Sequence, residues 1–183
     1  MSHLTVYSEN DPSAPIVDTR DFNEIVANLK PIGVWLERWP TRPLPAAAAS
    51  DDVLAAYSEE IDRLTNANGY RSVDVMRIAP DHPDRAALRT KFLSEHTHAE
   101  DEVRFFVEGA GLFTLHKDGK VFNMLCEQDD LLGVPAGIRH WFDMGAAPHF
   151  TVIRLFTTPE GWVAEFTGDD IADRFPRLEP VAA

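Results

Sequence analysis

The sequence predicts an all-β core with flanking α-helices, most of them in the N-terminal half. Three observations carry this. From about Leu93, apolar runs of strand length alternate with turn residues: "VRFFVE", "LFTLHK", "KVFNMLCE", "DLLGVP", "HWFDMG" and "HFTVIRLFT". Many short strands at regular spacing make a sandwich or a closed barrel. "KDGK" separates two of these runs, and Asp-Gly between apolar runs signals a hairpin, because Gly accepts positive φ. Before Leu93, apolar residues recur at helical spacing instead.

The elements follow in order. In "DTRDFNEIVANLKPIG", Asp18, Thr19 and Asp21 offer caps. Ile25, Val26 and Leu29 form a helical stripe, and Pro31 and Gly33 stop it. "VWLERW" from Val34 is a short strand. "TRPLPAAAAS" is a Pro/Ala connector ending on Ser50, a good N-cap. One helix is then expected through Val53, Leu54, Tyr57, Ile61 and Leu64, ending at Gly69, which suits a left-handed C-terminal position. "RSVDVMRIAP" alternates as a strand, and "DHPDRAALRTKF" is a helix begun by Asp81 and Pro83. "EGAG" is expected to part the first two β-runs as a turn. The tail "GDDIADRFPRLEPVAA" is a short helix and a frayed end. The whole, 1–183, is expected to be one domain: a mixed region at about 1–92, barrel strands at about 93–157 and a tail at about 158–183.

Composition narrows the function. Hydrophobic residues make up 44% and charged residues 26%, the balance of a soluble globular protein. The net charge of -13 argues against nucleic acid and anionic membranes, which both need Lys and Arg. The sole cysteine, Cys126, allows no intrachain disulfide and fits a reducing compartment. "MSHLTVYSEND" has neither the basic nor the apolar region of a secretory signal. No apolar run nears the ~20 residues needed to span a bilayer. A cytoplasmic protein is expected, and the acidic surface favours a monomer.

The chemistry gathers around "SEHTHAEDEVRFFVEGAG". Read as strand, residues of equal parity share a face, which places His96, His98, Glu102 and Arg104 together, with room for a bend before Glu102. On a helix His96 and His98 would lie ~200° apart and could not share an ion. Downstream, "GVPAGIRHWFD" uses Pro135 and Gly137 to turn the chain and deliver His140 at a strand start. Blander readings exist for each part. His-x-His alone is commonly a polar turn, and Thr97-x-x-Glu100 fits a capping box. Arg104 could be a salt-bridge residue, and Phe142 and Trp162 core packing. His3, His82, His116 and His149 default to surface or satisfied structural roles, and Cys126 to a small packed hydrophobe.

Together, His-x-His-x3-Glu-x6-Gly and Pro-x-Gly-x2-His, joined by a hairpin, resemble the two motifs of the cupin superfamily. The matching residues are His96, His98, Glu102, Gly109, Pro135, Gly137 and His140. Thr90 departs from the usual opening Gly and Met144 from the usual closing Asn. "HTHAEDEVRFFVEGAGLF", "VPAGIRHWFDMG" and "FTTPEGWVAEFTGDDIADRFP" are similar to the acireductone dioxygenases over nearly the whole chain. The resemblance implies a jelly-roll barrel and one Fe(II) or Ni(II) per chain on His96, His98, Glu102 and His140. Arg104 would assist an anionic substrate. Phe142, Arg154 and Trp162 would line it, with Glu95 and Glu100 orienting imidazoles. It also implies cleavage of 1,2-dihydroxy-3-keto-5-methylthiopentene by O2 in methionine salvage. Two alternatives stand beside it: another cupin dioxygenase, cleaving a flavonol or diketone, or a cupin module without catalysis.

Overall fold

The computed structural model describes residues 1–45, 47–158 and 163–178. In chain order the strands and helices are β1 (His3–Ser8), β2 (Val17–Thr19), α1 (Phe22–Leu29), β3 (Trp35–Arg38), α2 (Ser50–Ala56), α3 (Ser58–Asn68), β4 (Ser72–Ile78), α4 (Arg85–Leu93), β5 (His96–Thr97), β6 (Glu102–Lys117), β7 (Lys120–Glu127), β8 (Asp130–Val134), β9 (Arg139–Asp143), β10 (Phe150–Phe156) and β11 (Glu165–Phe166). All strand pairs are antiparallel. One sheet runs β11-β5-β9-β6-β7-β1-β2, and the other runs β4-β10-β6-β8-β3.

β6 belongs to both sheets. Its first half pairs with β8 and β10, and its second half with β7 and β9. The "EGAG" expected as a turn is the kink inside this strand, and the pairing register with β10 slips beside it. Gly109 has φ +77°, and a Cβ there would collide with the His149 carbonyl. The chain can fold across here only without a side chain. "KDGK" is the expected hairpin, with Asp118 at φ 53° and Gly119 at φ 73°, the pair of positive values that a type I′ turn requires.

The alternation of β6 and β10 sorts three cores. Phe106, Val152 and Phe150 face between the sheets with Leu4, Phe113, Met124 and Phe142. Val103, Phe105, Ile153 and Leu155 face outward and are covered by Val53, Tyr57, Ile61 and Leu64 of α2 and α3. Trp141 and Val121 face outward from the other sheet, under Ile171, Ala172 and Phe175 of the tail. Covering both outer faces explains why the strands read as apolar runs with little alternation.

Several local expectations shift. The single helix through Tyr57 is two helices, broken where Tyr57 takes φ -116° and ψ 19°. Tyr57 is fully buried against Phe105, and its hydroxyl accepts the Arg42 N–H, so packing overrides helical spacing. Ser50 is the first residue of α2, not its cap. The helix begun by Asp81 and Pro83 starts at Arg85 after a turn. Asp21 does cap α1, accepting the Glu24 N–H. Gly69, at φ 76°, closes α3 as expected. β1, β2 and β11 carry no sequence signal of their own; β7 pairs with β1, β1 in turn with β2, and β5 with β11.

Candidate metal centre

Three elements bring the histidines together. β5 pairs with β9 so that His96 lies directly opposite His140. His98 follows β5, and a bend through residues 99–101 leads to Glu102 at the start of β6. The two motif loops are stitched to each other: Gly137 N–H donates to the His98 carbonyl at 2.9 Å, and Ala136 N–H to Asp101 Oδ1 at 2.9 Å. Asp101, which sequence reading left without a role, holds this turn. Ligand atoms of His96, His98 and His140 lie within 4.8 Å of one another, and all three residues are buried. Glu102 Oε2 is 3.1 Å from His98 Nε2 and 3.0 Å from His140 Nε2.

The hydrogen bonds settle which nitrogens face the centre. His96 Nδ1 meets the Ser94 carbonyl at 2.7 Å, His98 Nδ1 the Val163 carbonyl at 2.9 Å, and His140 Nδ1 the Ile138 carbonyl at 2.8 Å. A carbonyl only accepts, so each Nδ1 carries the proton and donates. In a neutral ring Nε2 then presents a lone pair. Two such lone pairs face one carboxylate oxygen at about 3 Å, an arrangement of acceptors that asks for a cation between them. Nitrogen and oxygen donors of this kind suit Fe(II), Ni(II), Mn(II) or Zn(II).

For His96 and Glu102 the electrostatics agree; at His98 the Glu102 carboxylate favours a proton, which a bound cation would displace. Burial pushes the His96 ring down to about 4, helped by neighbouring His140 and against the Ser94 carbonyl, so this ring is neutral at pH 7. Burial opposes ionisation of Glu102, but Arg104, His140 and His98 outweigh it and hold the carboxyl well below its ordinary range. Burial likewise opposes a charged His98, and its bond to Glu102 wins, raising it. Arg104 Nη2 sits 2.6 Å from Glu102 Oε1. Its guanidinium lies 4.9 Å from the Phe142 ring centroid and 5.2 Å from that of Phe113. The site is therefore a carboxylate, an arginine and three imidazoles, walled by aromatics.

The chain's similarity to known proteins can be set against this geometry. A model of the ARD/ARD' family matches residues 4–164. The chain belongs to the ARD/ARD' family. It is 59% identical over 180 residues to the acireductone dioxygenase of Parvibaculum lavamentivorans, covering 98% of each. It is 56% identical to that of Pseudomonas aeruginosa PAO1 over 98% of this chain and 99% of that protein. Among solved structures, acireductone dioxygenase from Bacillus anthracis with cadmium ion in its active center matches at a TM-score of 0.80 and 30% identity. That match covers 91% of this chain and 98% of the other. The ARD/ARD' fold is the cupin-type barrel expected from the two motifs.

Other expected site residues divide. Phe142 shares a strand face with His140 and packs on Phe92, Phe113, Phe150 and the Arg104 guanidinium, so it is both core and wall. Arg154 lies opposite Arg104 across the β6–β10 pair, and its Nε and Nη2 donate to Asp74, at 2.8 and 2.5 Å. Trp162 lies outside the described residues. Glu95 and Glu100 do not orient the imidazoles: backbone carbonyls do. Glu95 is buried and bonds His116 and Thr167, and Glu100 accepts the Thr158 N–H. A carbonyl two residues before its own histidine reaches Nδ1 with no long side chain, which is why Ser94 and Ile138 serve and no sequence signal marks them. Phe113 and Val163 were also missed, since each reaches the site only through tertiary pairing. His116 is buried in a structural role, and His149 is exposed, paired with Glu108. Cys126 is fully buried.

Proposed function

We propose that this single-domain chain is an acireductone dioxygenase of methionine salvage. It cleaves 1,2-dihydroxy-3-keto-5-methylthiopentene with O2 at one Fe(II) or Ni(II) held by His96, His98, Glu102 and His140. The observation that carries the reading is the convergence of three Nε2 lone pairs and the Glu102 carboxylate while every Nδ1–H is committed to a carbonyl. Names and full-length identity of the relatives support the substrate class. The cadmium ion in the Bacillus anthracis active center supports a resident metal.

When bound, the divalent ion supplies Lewis acidity that lowers the cost of ionising an ene-diol. The chain's own residues do the rest. The backbone carbonyls fix the tautomers and ring planes, so no reorganisation is needed as the ligand set closes. Arg104 places a permanent positive charge beside Glu102, where an ene-diolate would carry negative charge, and its paired geometry holds it there. Phe142 and Phe113 keep water from the guanidinium and so strengthen its field. Asp74 neutralises Arg154, leaving Arg104 as the cation nearest the ligands.

Iron would give 2-keto-4-methylthiobutyrate and formate, and nickel methylthiopropionate, formate and carbon monoxide. Nothing in the donor set selects one. Nickel binds such nitrogen and oxygen donors more tightly than iron, so cellular supply would decide occupancy. The test is product analysis of protein reconstituted in turn with Fe(II) and Ni(II), with anaerobic substrate mixed into O2. Carbon monoxide from the nickel form alone is the expected result. O2 uptake by neither form would overturn the catalytic reading, and metal retention by His96→Ala equal to wild type would overturn the ligand set.

A further inference from the structure

The segment 163–167 touches the candidate metal centre at several points, yet burial does not hold it there. Val163 is 68% exposed and Phe166 53% exposed. β11 is two residues long and pairs with β5, with Glu165 opposite Thr97 and Phe166 opposite His96. So short and exposed a strand gains little from the hydrophobic effect. Apart from an edge contact of the Phe166 ring with that of His96, 5.8 Å between centroids, its attachments are polar. The Val163 carbonyl accepts His98 Nδ1–H at 2.9 Å. Thr167 N–H donates to the Glu95 carbonyl at 3.1 Å, and Thr167 Oγ1–H donates to Glu95 Oε2 at 2.7 Å.

Glu95 is a firm anchor for that hydroxyl. It is buried, and its other oxygen meets His116 Nδ1 at 2.6 Å. His116 stands on β6, the strand shared by both sheets, and its Nε2 meets Glu9 Oε2 at 2.9 Å. The line Glu9–His116–Glu95–Thr167 therefore runs from the barrel frame to the exposed segment. Bonds to a carboxylate are the strong kind, so the Thr167 hydroxyl is a large share of what docks this segment.

We propose that Thr167 is a positioning residue: by bonding Glu95 it docks segment 163–167 against His96 and His98, and docking and metal binding strengthen each other. This rests on the metal reading above. A docked Val163 carbonyl fixes the His98 ring and makes its Nε2 a better donor. A metal on Nε2 makes Nδ1–H a better donor to Val163 in return. Linkage requires the two effects to be equal in factor.

The test compares wild type, Thr167→Val and Thr167→Ser. Ni(II) affinity is measured by competition with a chelator, and hydrogen exchange is followed at the amides of 163–168 with and without Ni(II). Thr167→Val is expected to weaken Ni(II) binding about fivefold or more, with Thr167→Ser close to wild type. Ni(II) is expected to slow exchange in the segment in wild type, and less so in Thr167→Val. A merely structural threonine would lower the melting temperature and leave the Ni(II) affinity alone. Affinity within twofold of wild type in Thr167→Val, or exchange indifferent to Ni(II), would overturn the coupling while leaving the metal site standing. Wild-type protein that binds no Ni(II) would overturn both readings.

Discussion

Arg104 is the residue on which the proposed chemistry turns most visibly. Its guanidinium is buried, ion-paired to Glu102 and stacked on two aromatic rings. Charge alone is not its contribution; the flat fork fits between ring faces where an ammonium would not. Arg104→Lys is therefore expected to keep its bound metal and lose about a hundredfold in kcat/KM. Metal analysis beside O2-uptake kinetics checks this; full activity in that variant would return Arg104 to a structural ion pair. Arg104 and Glu102 were legible because strand parity is short-range arithmetic. The carbonyls of Ser94, Ile138 and Val163 were not, because every residue has one.

Among the elements, β6 and its turns set the barrel. Two glycines of this region have positive φ for different reasons. Gly109 faces the His149 backbone, whereas nothing lies within 4 Å of a Cβ at Gly119. Gly119→Ala should cost about 1 kcal/mol, the strain of the turn alone. Gly109→Ala should cost more than about 3 kcal/mol, because backbone must move as well. Paired thermal melts distinguish them, and equal costs would mean the crossing is not steric. α4 is fastened to β9 by Arg89, whose nitrogens meet Asp143 at 2.7 and 2.9 Å; the N–H groups of Gly145 and Leu178 complete the carboxylate's partners. Burial raises the Asp143 carboxyl, and these four donors outweigh it and leave it below its ordinary 3.8. With the folded value depressed, the stabilisation is full above pH 4 and fades as pH falls through the folded value. Asp143→Asn should thus be less stable than wild type at pH 7, with the gap closing below pH 4 in denaturant titrations. A gap constant with pH would show that the charge is not what stabilises.

At the scale of the whole molecule, the proposed metal site and the fold are expected to support each other. Its donors come from β5, the start of β6 and β9, and segment 163–167 is bonded across them. Binding a cation there should raise the stability of the entire barrel. At a free Ni(II) concentration a hundred times Kd, linkage gives about 2.7 kcal/mol. For a chain of this length that is a melting shift of roughly 5–11 °C. Scans of metal-free protein with and without Ni(II) measure it, and His140→Ala should abolish the shift. A shift that survives in that variant would place the stabilising metal elsewhere. No helix among the described residues is long and apolar enough to cross a membrane.

The resemblance to the two cupin motifs singled out the barrel and the set His96, His98, Glu102 and His140. By itself the sequence determined an all-β core, the hairpin at "KDGK", a group of cap candidates that includes Asp21, and the ends at Gly33 and Gly69. These rest on local rules: side-chain period, positive φ, capping and fixed spacing. Only the tertiary structure decided that "EGAG" is a kink within one strand, that Tyr57 divides a helix, and that β1, β2 and β11 exist. It alone turned Glu95 away from the imidazoles toward His116 and Thr167, and gave Arg154 to Asp74. The reason is common to all of them. Each depends on which distant strand lies alongside, and a backbone N–H or carbonyl, or a side chain seeking a partner, takes the group that the sheet brings within 3 Å.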